Sequence, residues 1–188
     1  MVNRIALLAL TLAIALGVAA PARGDEAAAW AALRAGGHVA LMRHTDAPGG
    51  IGDPPGFKLE DCATQRNLSD QGRDEAAQIG TRLKAEGIAF ERILSSPWCR
   101  CMDTARLLDM GPVEPARTFS NVVVLRDHTE SLTKGARALI AGWRDAGTLL
   151  VVTHGANIRA LTGISPATGE IVVVDRSAEA VGRIPPSR

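Results

Sequence analysis

The chain is expected to fold as one α/β domain, a three-layer α/β/α sandwich around a mostly parallel central sheet. Three observations carry that expectation. Short apolar runs of strand length alternate with segments of helical periodicity, at intervals of a few tens of residues. The run at 148–152 is apolar after its first residue, as in a strand covered on both faces. The length, 188 residues, suits one domain, and a hydrophobic share of 46% is enough to build its core.

Residues 1–24 read as a secretory leader rather than as part of the fold. Arg4 supplies a positive start, residues 5–19 are apolar, and Ala22-Arg23-Gly24 is a small-x-small cleavage pattern. The apolar run is short for a membrane span, which needs about 20 residues. The single domain is then 25–188. Residues 25–35 are alanine-rich, with Trp30 and Leu33, and read as a helix stopped by Gly36-Gly37. Val39-Ala40-Leu41-Met42 is a buried strand that ends abruptly at Arg43-His44. From 45 to 67 prolines and glycines dissolve any pattern, and so long a loop in a compact domain is usually functional.

Ser69 is an N-cap for a helix with Asp70, Asp74 and Glu75 in its first turns, which suits the helix dipole. Ala76, Ile79, Gly80 and Leu83 give it an apolar face. Residues 89–94 form a second strand, followed by Ser95-Ser96-Pro97 and a helix carrying Arg100, Thr104 and Ala105. A third strand is expected within 119–125, from Val122-Val123-Val124-Leu125, ending at Arg126-Asp127-His128. Thr129 caps a helix that runs toward Gly147. The strand at 148–152 then leads into Thr153-His154-Gly155 and a helix over 156–161. Residues 171–174 and 180–184 read as a terminal pair of strands.

The formal net charge is +1, so no strong bulk attraction to nucleic acid is implied. Four histidines, 38, 44, 128 and 154, lack the spacing of a zinc site, and no cofactor is expected. Three cysteines in an exported chain tend to pair. Cys99 and Cys101 flank Arg100 and are badly placed to bond each other. Cys62 with one of them leaves one thiol free.

In a parallel sheet the ends at Arg43-His44, Ser95-Ser96 leading to Arg100, Asp127-His128 and His154-Gly155 share one edge. Two arginines and two histidines meeting there attract a dianion such as phosphate. A neutral imidazole can attack phosphorus when its other nitrogen is held by an acceptor. His44 would be that nucleophile, Arg43, Arg100 and His154 would hold the phosphoryl oxygens, and Asp127 would protonate the departing oxygen. No metal is needed.

Leu41-Met42-Arg43-His44 resembles the Arg-His-Gly signature of the histidine phosphatase superfamily, with its phosphoglycerate mutase-like fold. Asn67-Leu68-Ser69-x-x-Gly72-Arg73-x-x-Ala76 is similar to its Leu-Thr-x-x-Gly-x-x-Gln-Ala segment. Ser95-Ser96-Pro97-x-x-Arg100-x-x-x-Thr104-Ala105 follows its Ser-Ser-Pro-x-x-Arg-x-x-x-Thr-Ala pattern. Val151-Val152-Thr153-His154-Gly155-x-x-Ile158-Arg159 is similar to its second-histidine segment. The resemblance implies that His44 is phosphorylated and that Arg43, Arg100 and His154 hold the phosphoryl group. The family's acid is often a Glu in a Leu-x-Glu segment; Leu125-Arg126-Asp127 fits that place, with Glu130 as the competitor. Thr45 stands where the family has glycine, and the mutases' segment around the acid is missing.

The expectation is a periplasmic or secreted phosphomonoester hydrolase for a small-molecule or glycan phosphate. It would have no nucleic-acid partner and no stable membrane insertion once the leader is removed. The alternatives are a catalytically silent phosphate- or polyanion-binding module of the same fold and a phosphoryl-transfer mutase.

Overall fold

The computed structural model describes residues 23–186. The expected leader lies outside the described residues, except that residues 23 and 24 already belong to the first helix, α1 (Arg23–Ala35). The chain then runs β1 (Val39–Arg43), α2 (Asp70–Ala85), β2 (Phe90–Ser95), α3 (Cys99–Leu107), β3 (Val113–Pro115), α4 (Thr129–Gly142), β4 (Thr148–Thr153), α5 (Gly155–Thr162), β5 (Ile171–Val174) and β6 (Ala180–Ile184).

The six strands form one sheet in the order β3-β2-β4-β1-β5-β6. The first four are mutually parallel, and β5 and β6 extend the sheet antiparallel. Alternation along β1 splits the core in two. Ala40 and Met42 pack with Leu33, Leu83, Cys101 and Leu108, under α1, α2 and α3. Val39 and Leu41 pack with Ile140, Trp143, Ile158 and Leu161, under α4 and α5. The result is the expected three-layer sandwich.

One expected strand is absent. Residues 119–125 form turns between two short 3-10 helices, Arg117–Phe119 and Arg126–His128. Asn121 Oδ1 accepts the Val123 N–H at 2.9 Å, and Asn157 Oδ1 accepts that of Val122 at 3.3 Å. These side chains occupy donors that a strand would give to a neighbour. The apolar run serves packing instead, with Phe119 and Val122 buried. The sheet's outer strand is the short β3, and Pro115 suits an edge that needs no further donor. α4 also stops at Gly142 rather than continuing to Gly147.

The segment after β1 is fixed by the start of α2. Ser69 caps the helix by accepting the Gly72 N–H at 2.9 Å, and its hydroxyl donates to Asp46 Oδ2 at 2.6 Å. Gly72 lies so close to this segment that a Cβ there would sit 2.1 Å from the Asp46 carbonyl oxygen. The Ser-x-x-Gly motif is thus a backbone contact that seats the residues following His44. Gly72→Ala forces backbone apart at this point. Overpacking of this kind costs about 1–3 kcal/mol, and urea unfolding of the variant should show a lower midpoint with an unchanged slope.

Candidate active site

Pairing of β1 with β4 puts Arg43 opposite Thr153, and the His44 N–H donates to the Thr153 carbonyl at 3.0 Å. The next residues, His44 and His154, therefore leave the same sheet edge side by side. Their ring centroids are 5.6 Å apart, with the planes at 73°. They face a cavity of about 310 Å³ between the loop after β1 and the start of α5. Arg43, Arg66, Gly155 and Arg159 also line it, with Ile51 and Gly52 from the loop and Val123 from the 122–124 turn.

His44 is buried, and its Nδ1 lies 2.8 Å from the Thr45 carbonyl oxygen. A carbonyl only accepts, so Nδ1 carries the proton and Nε2 keeps its lone pair. Burial drives its pKa down to about 3, against the Thr45 carbonyl and with help from Arg100 and Arg43. His44 is thus a neutral imidazole with a free Nε2. His154 is buried too, with Nε2 2.9 Å from Ser96 Oγ and 3.6 Å from Cys101 Sγ. Burial, then His44 and Arg100, hold its pKa well below the ordinary value. Contrary to its expected place among the cations, His154 is neutral.

Arg43 donates from Nη1 to the Pro166 carbonyl at 2.8 Å, while its Nε is buried with no hydrogen-bond partner. Gly155 packs on this side chain: a Cβ there would lie 3.2 Å from Cδ and 3.3 Å from Nε. The glycine after His154 is therefore the space that Arg43 occupies.

Arg100 departs from expectation. It is fully buried and does not line the cavity. Its Nη1 and Nη2 donate to the two oxygens of Asp53 at 2.7 and 3.2 Å. Asp53 also accepts from Trp98 Nε1 at 2.9 Å and from the Arg66 N–H at 3.1 Å. Burial raises the Asp53 pKa, but the Arg100 hydrogen bonds and charge outweigh it, so the carboxyl titrates below its usual range. Its Nε is buried without a hydrogen-bond partner.

The acid assignment also changes. Asp127 is exposed on the 3-10 turn Arg126–His128, and Glu130 is exposed in the first turn of α4. Neither lines the cavity, and among the described residues no carboxylate does. The reason is the missing strand: without it, Asp127 does not sit at the sheet edge. His128 is exposed on the same turn, and His38, at the other end of β1, has Nδ1 2.7 Å from the Gly36 carbonyl.

Cys62 and Cys99 form a disulfide, which ties the loop after β1 to the start of α3. Cys101 is the free thiol, buried, and burial pushes its pKa up to about 12. It is no nucleophile in that form. Thr45 needs no glycine: its backbone avoids positive φ, and its buried hydroxyl lies 3.2 Å from Thr104 Oγ1. Among the described residues no group of three or more His, Cys, Asp or Glu side chains is placed to hold a metal ion. No described helix is long and apolar enough to cross a membrane.

Residues 53–121 match the histidine phosphatase superfamily (branch 1). That stretch contains Asp53, Arg66 and Arg100 and stops short of both active-edge histidines. The fold around it is shared with solved structures. SixA of Agrobacterium tumefaciens, assigned as a phosphohistidine phosphatase, is 19% identical over 80% of this chain and 98% of its own, with a TM-score of 0.57. The matched stretch and this shared fold make the chain similar to the histidine phosphatase superfamily. SixA of Nakamurella multipartitia, assigned likewise, is 18% identical over 80% of this chain and 96% of its own, at a TM-score of 0.54. The product of the open reading frame Rv3214 of Mycobacterium tuberculosis is 18% identical over 72% and 89%, at 0.57. No curated protein matches the chain. At these identities the solved structures establish this histidine phosphatase fold and nothing finer.

Asp53→Asn leaves the buried Arg100 guanidinium without its counter-charge. Breaking a buried pair costs about 3–5 kcal/mol, and chemical denaturation should record a loss of that order. A second outcome concerns acid. His44 has a native pKa near 3 against 6.5 for the unfolded group, so below pH 6.5 the unfolded chain takes up a proton that the native site refuses. Its stabilising effect is complete above pH 6.5 and declines as pH falls toward 3. The melting temperature should drop from pH 7 to pH 4, and less steeply in His44→Asn.

Proposed function

We propose that this protein is a phosphomonoester hydrolase that works through a phosphohistidine at His44. The observation that carries the reading is the neutral His44, its Nδ1 committed to the Thr45 carbonyl and its Nε2 free at a cavity lined by arginines. The match of residues 53–121 to the histidine phosphatase superfamily supports the reaction class.

In the first step the Nε2 lone pair bonds to phosphorus, and the bond from phosphorus to the ester oxygen breaks. The departing oxygen keeps the electron pair and takes a proton from water. Positive charge developing on the imidazole is stabilised through Nδ1–H and the Thr45 carbonyl. Arg43 Nε, buried and unpartnered, serves as a donor to the phosphoryl oxygens. A phosphoryl dianion also offsets the arginine charges that, after burial and His44, hold the His154 pKa down, so His154 gains affinity for a proton when substrate binds. In the second step water attacks phosphorus, the N–P bond breaks, and inorganic phosphate leaves.

The leader expected over 1–24 supports a site of action in the periplasm or outside the cell, on a small-molecule or glycan phosphomonoester. The second reading, a silent phosphate-binding module, is favoured by one observation: among the described residues no carboxylate lines the cavity to protonate a leaving group.

Turnover of 4-nitrophenyl phosphate decides between them. His44→Ala should slow it by about a thousandfold or more, and labelled phosphate trapped in alkali should map to His44. Equal rates in both proteins would leave only the binding module. Without a lining acid, esters of acidic phenols should also turn over much faster than esters of simple alcohols under the same conditions.

A further inference from the structure

Resting on the phosphatase reading, we infer that the cavity takes a phosphomonoester whose leaving group carries its own anionic group, a carboxylate or a second phosphate, bound by Arg159.

The argument is a balance of charge. Among the described residues three arginines line the cavity, Arg43, Arg66 and Arg159, and no carboxylate does. Asp53 neutralises the fourth nearby cation, Arg100, through a bidentate pair that is buried on both sides. Both histidines are neutral at pH 7. A phosphoryl dianion therefore offsets two of the three cations and leaves one.

Position identifies which one. Arg43 follows directly along β1 into His44, and its unpartnered Nε is buried, so it belongs to the phosphoryl group. Arg66 is half-buried and strapped to its own loop through the carbonyls of Gly52 and Ala47. Arg159 lies one helical turn beyond Gly155 on α5, is exposed, and its side chain makes no hydrogen bond or ion pair among the described residues. It is the cation with all five donors available, at the open side of the cavity, where a leaving group projects away from His44. A volume of about 310 Å³ also suits a small molecule.

The test uses phosphonates, which bind without being hydrolysed, so its outcome does not depend on turnover. Affinities of the full chain for methylphosphonate and for phosphonoacetate are measured by calorimetry. The wild-type protein should prefer phosphonoacetate by about tenfold, the worth of one charge-assisted hydrogen bond. Arg159→Gln should abolish that preference and Arg159→Lys should retain most of it. Equal affinities in the wild type, or a preference that survives Arg159→Gln, overturn the inference. The turnover of 4-nitrophenyl phosphate and its loss in His44→Ala test the underlying phosphatase reading separately.

Discussion

Parallel pairing of β1 with β4 is the constraint on which the site depends. The register places Arg43 against Thr153, so the chain delivers His44 and His154 to neighbouring points on one edge. A slip of one residue would turn each side chain to the other face of the sheet. The register is held by burial on both faces: Val39 to Met42 and Leu149 to Val152 are all inaccessible or nearly so. The two core clusters therefore do more than stabilise the domain. They set which residues emerge at the edge, and burial at that edge makes the imidazoles neutral.

A second layer of organisation comes from the loop after β1. It carries Asp53 and Arg66, and it is fastened to α3 by the disulfide, by the Asp53–Arg100 pair and by Gln65 Oε1, which accepts the Cys99 N–H at 3.0 Å. An acidic side chain from this loop thus decides how much of Arg100 remains for a ligand. The electrostatic character of the cavity is set by which arginines have found carboxylates inside the protein and which have not.

Much of this was legible in the sequence. Hydrophobic runs bounded by glycine and polar clusters gave five of the six strands their places, the terminal pair among them, together with the cap at Ser69. The two histidine segments were readable because residue type and position at a strand end coincide. The run at 122–125 was misread because a short apolar stretch does not reveal whether its N–H groups face a strand or an asparagine side chain. Asp127 was misplaced for the same reason. Asp53 carried no local signal at all: its partner is 47 residues away, and only the folded loop brings them together. The strand β3 is three residues long, below the length at which periodicity speaks.

The free thiol at Cys101 sits two positions from the bridged Cys99, on the opposite flank of Arg100. During oxidation of the nascent chain, Cys62 meets two candidate partners separated by about half a turn of helix. Joining the wrong one would draw Cys101 from beneath His154 and rotate Arg100 off Asp53. A chain bridged at Cys99 and one bridged at Cys101 have equal mass and equal oxidation state, and the Cys99 bridge is the one that accompanies the cavity.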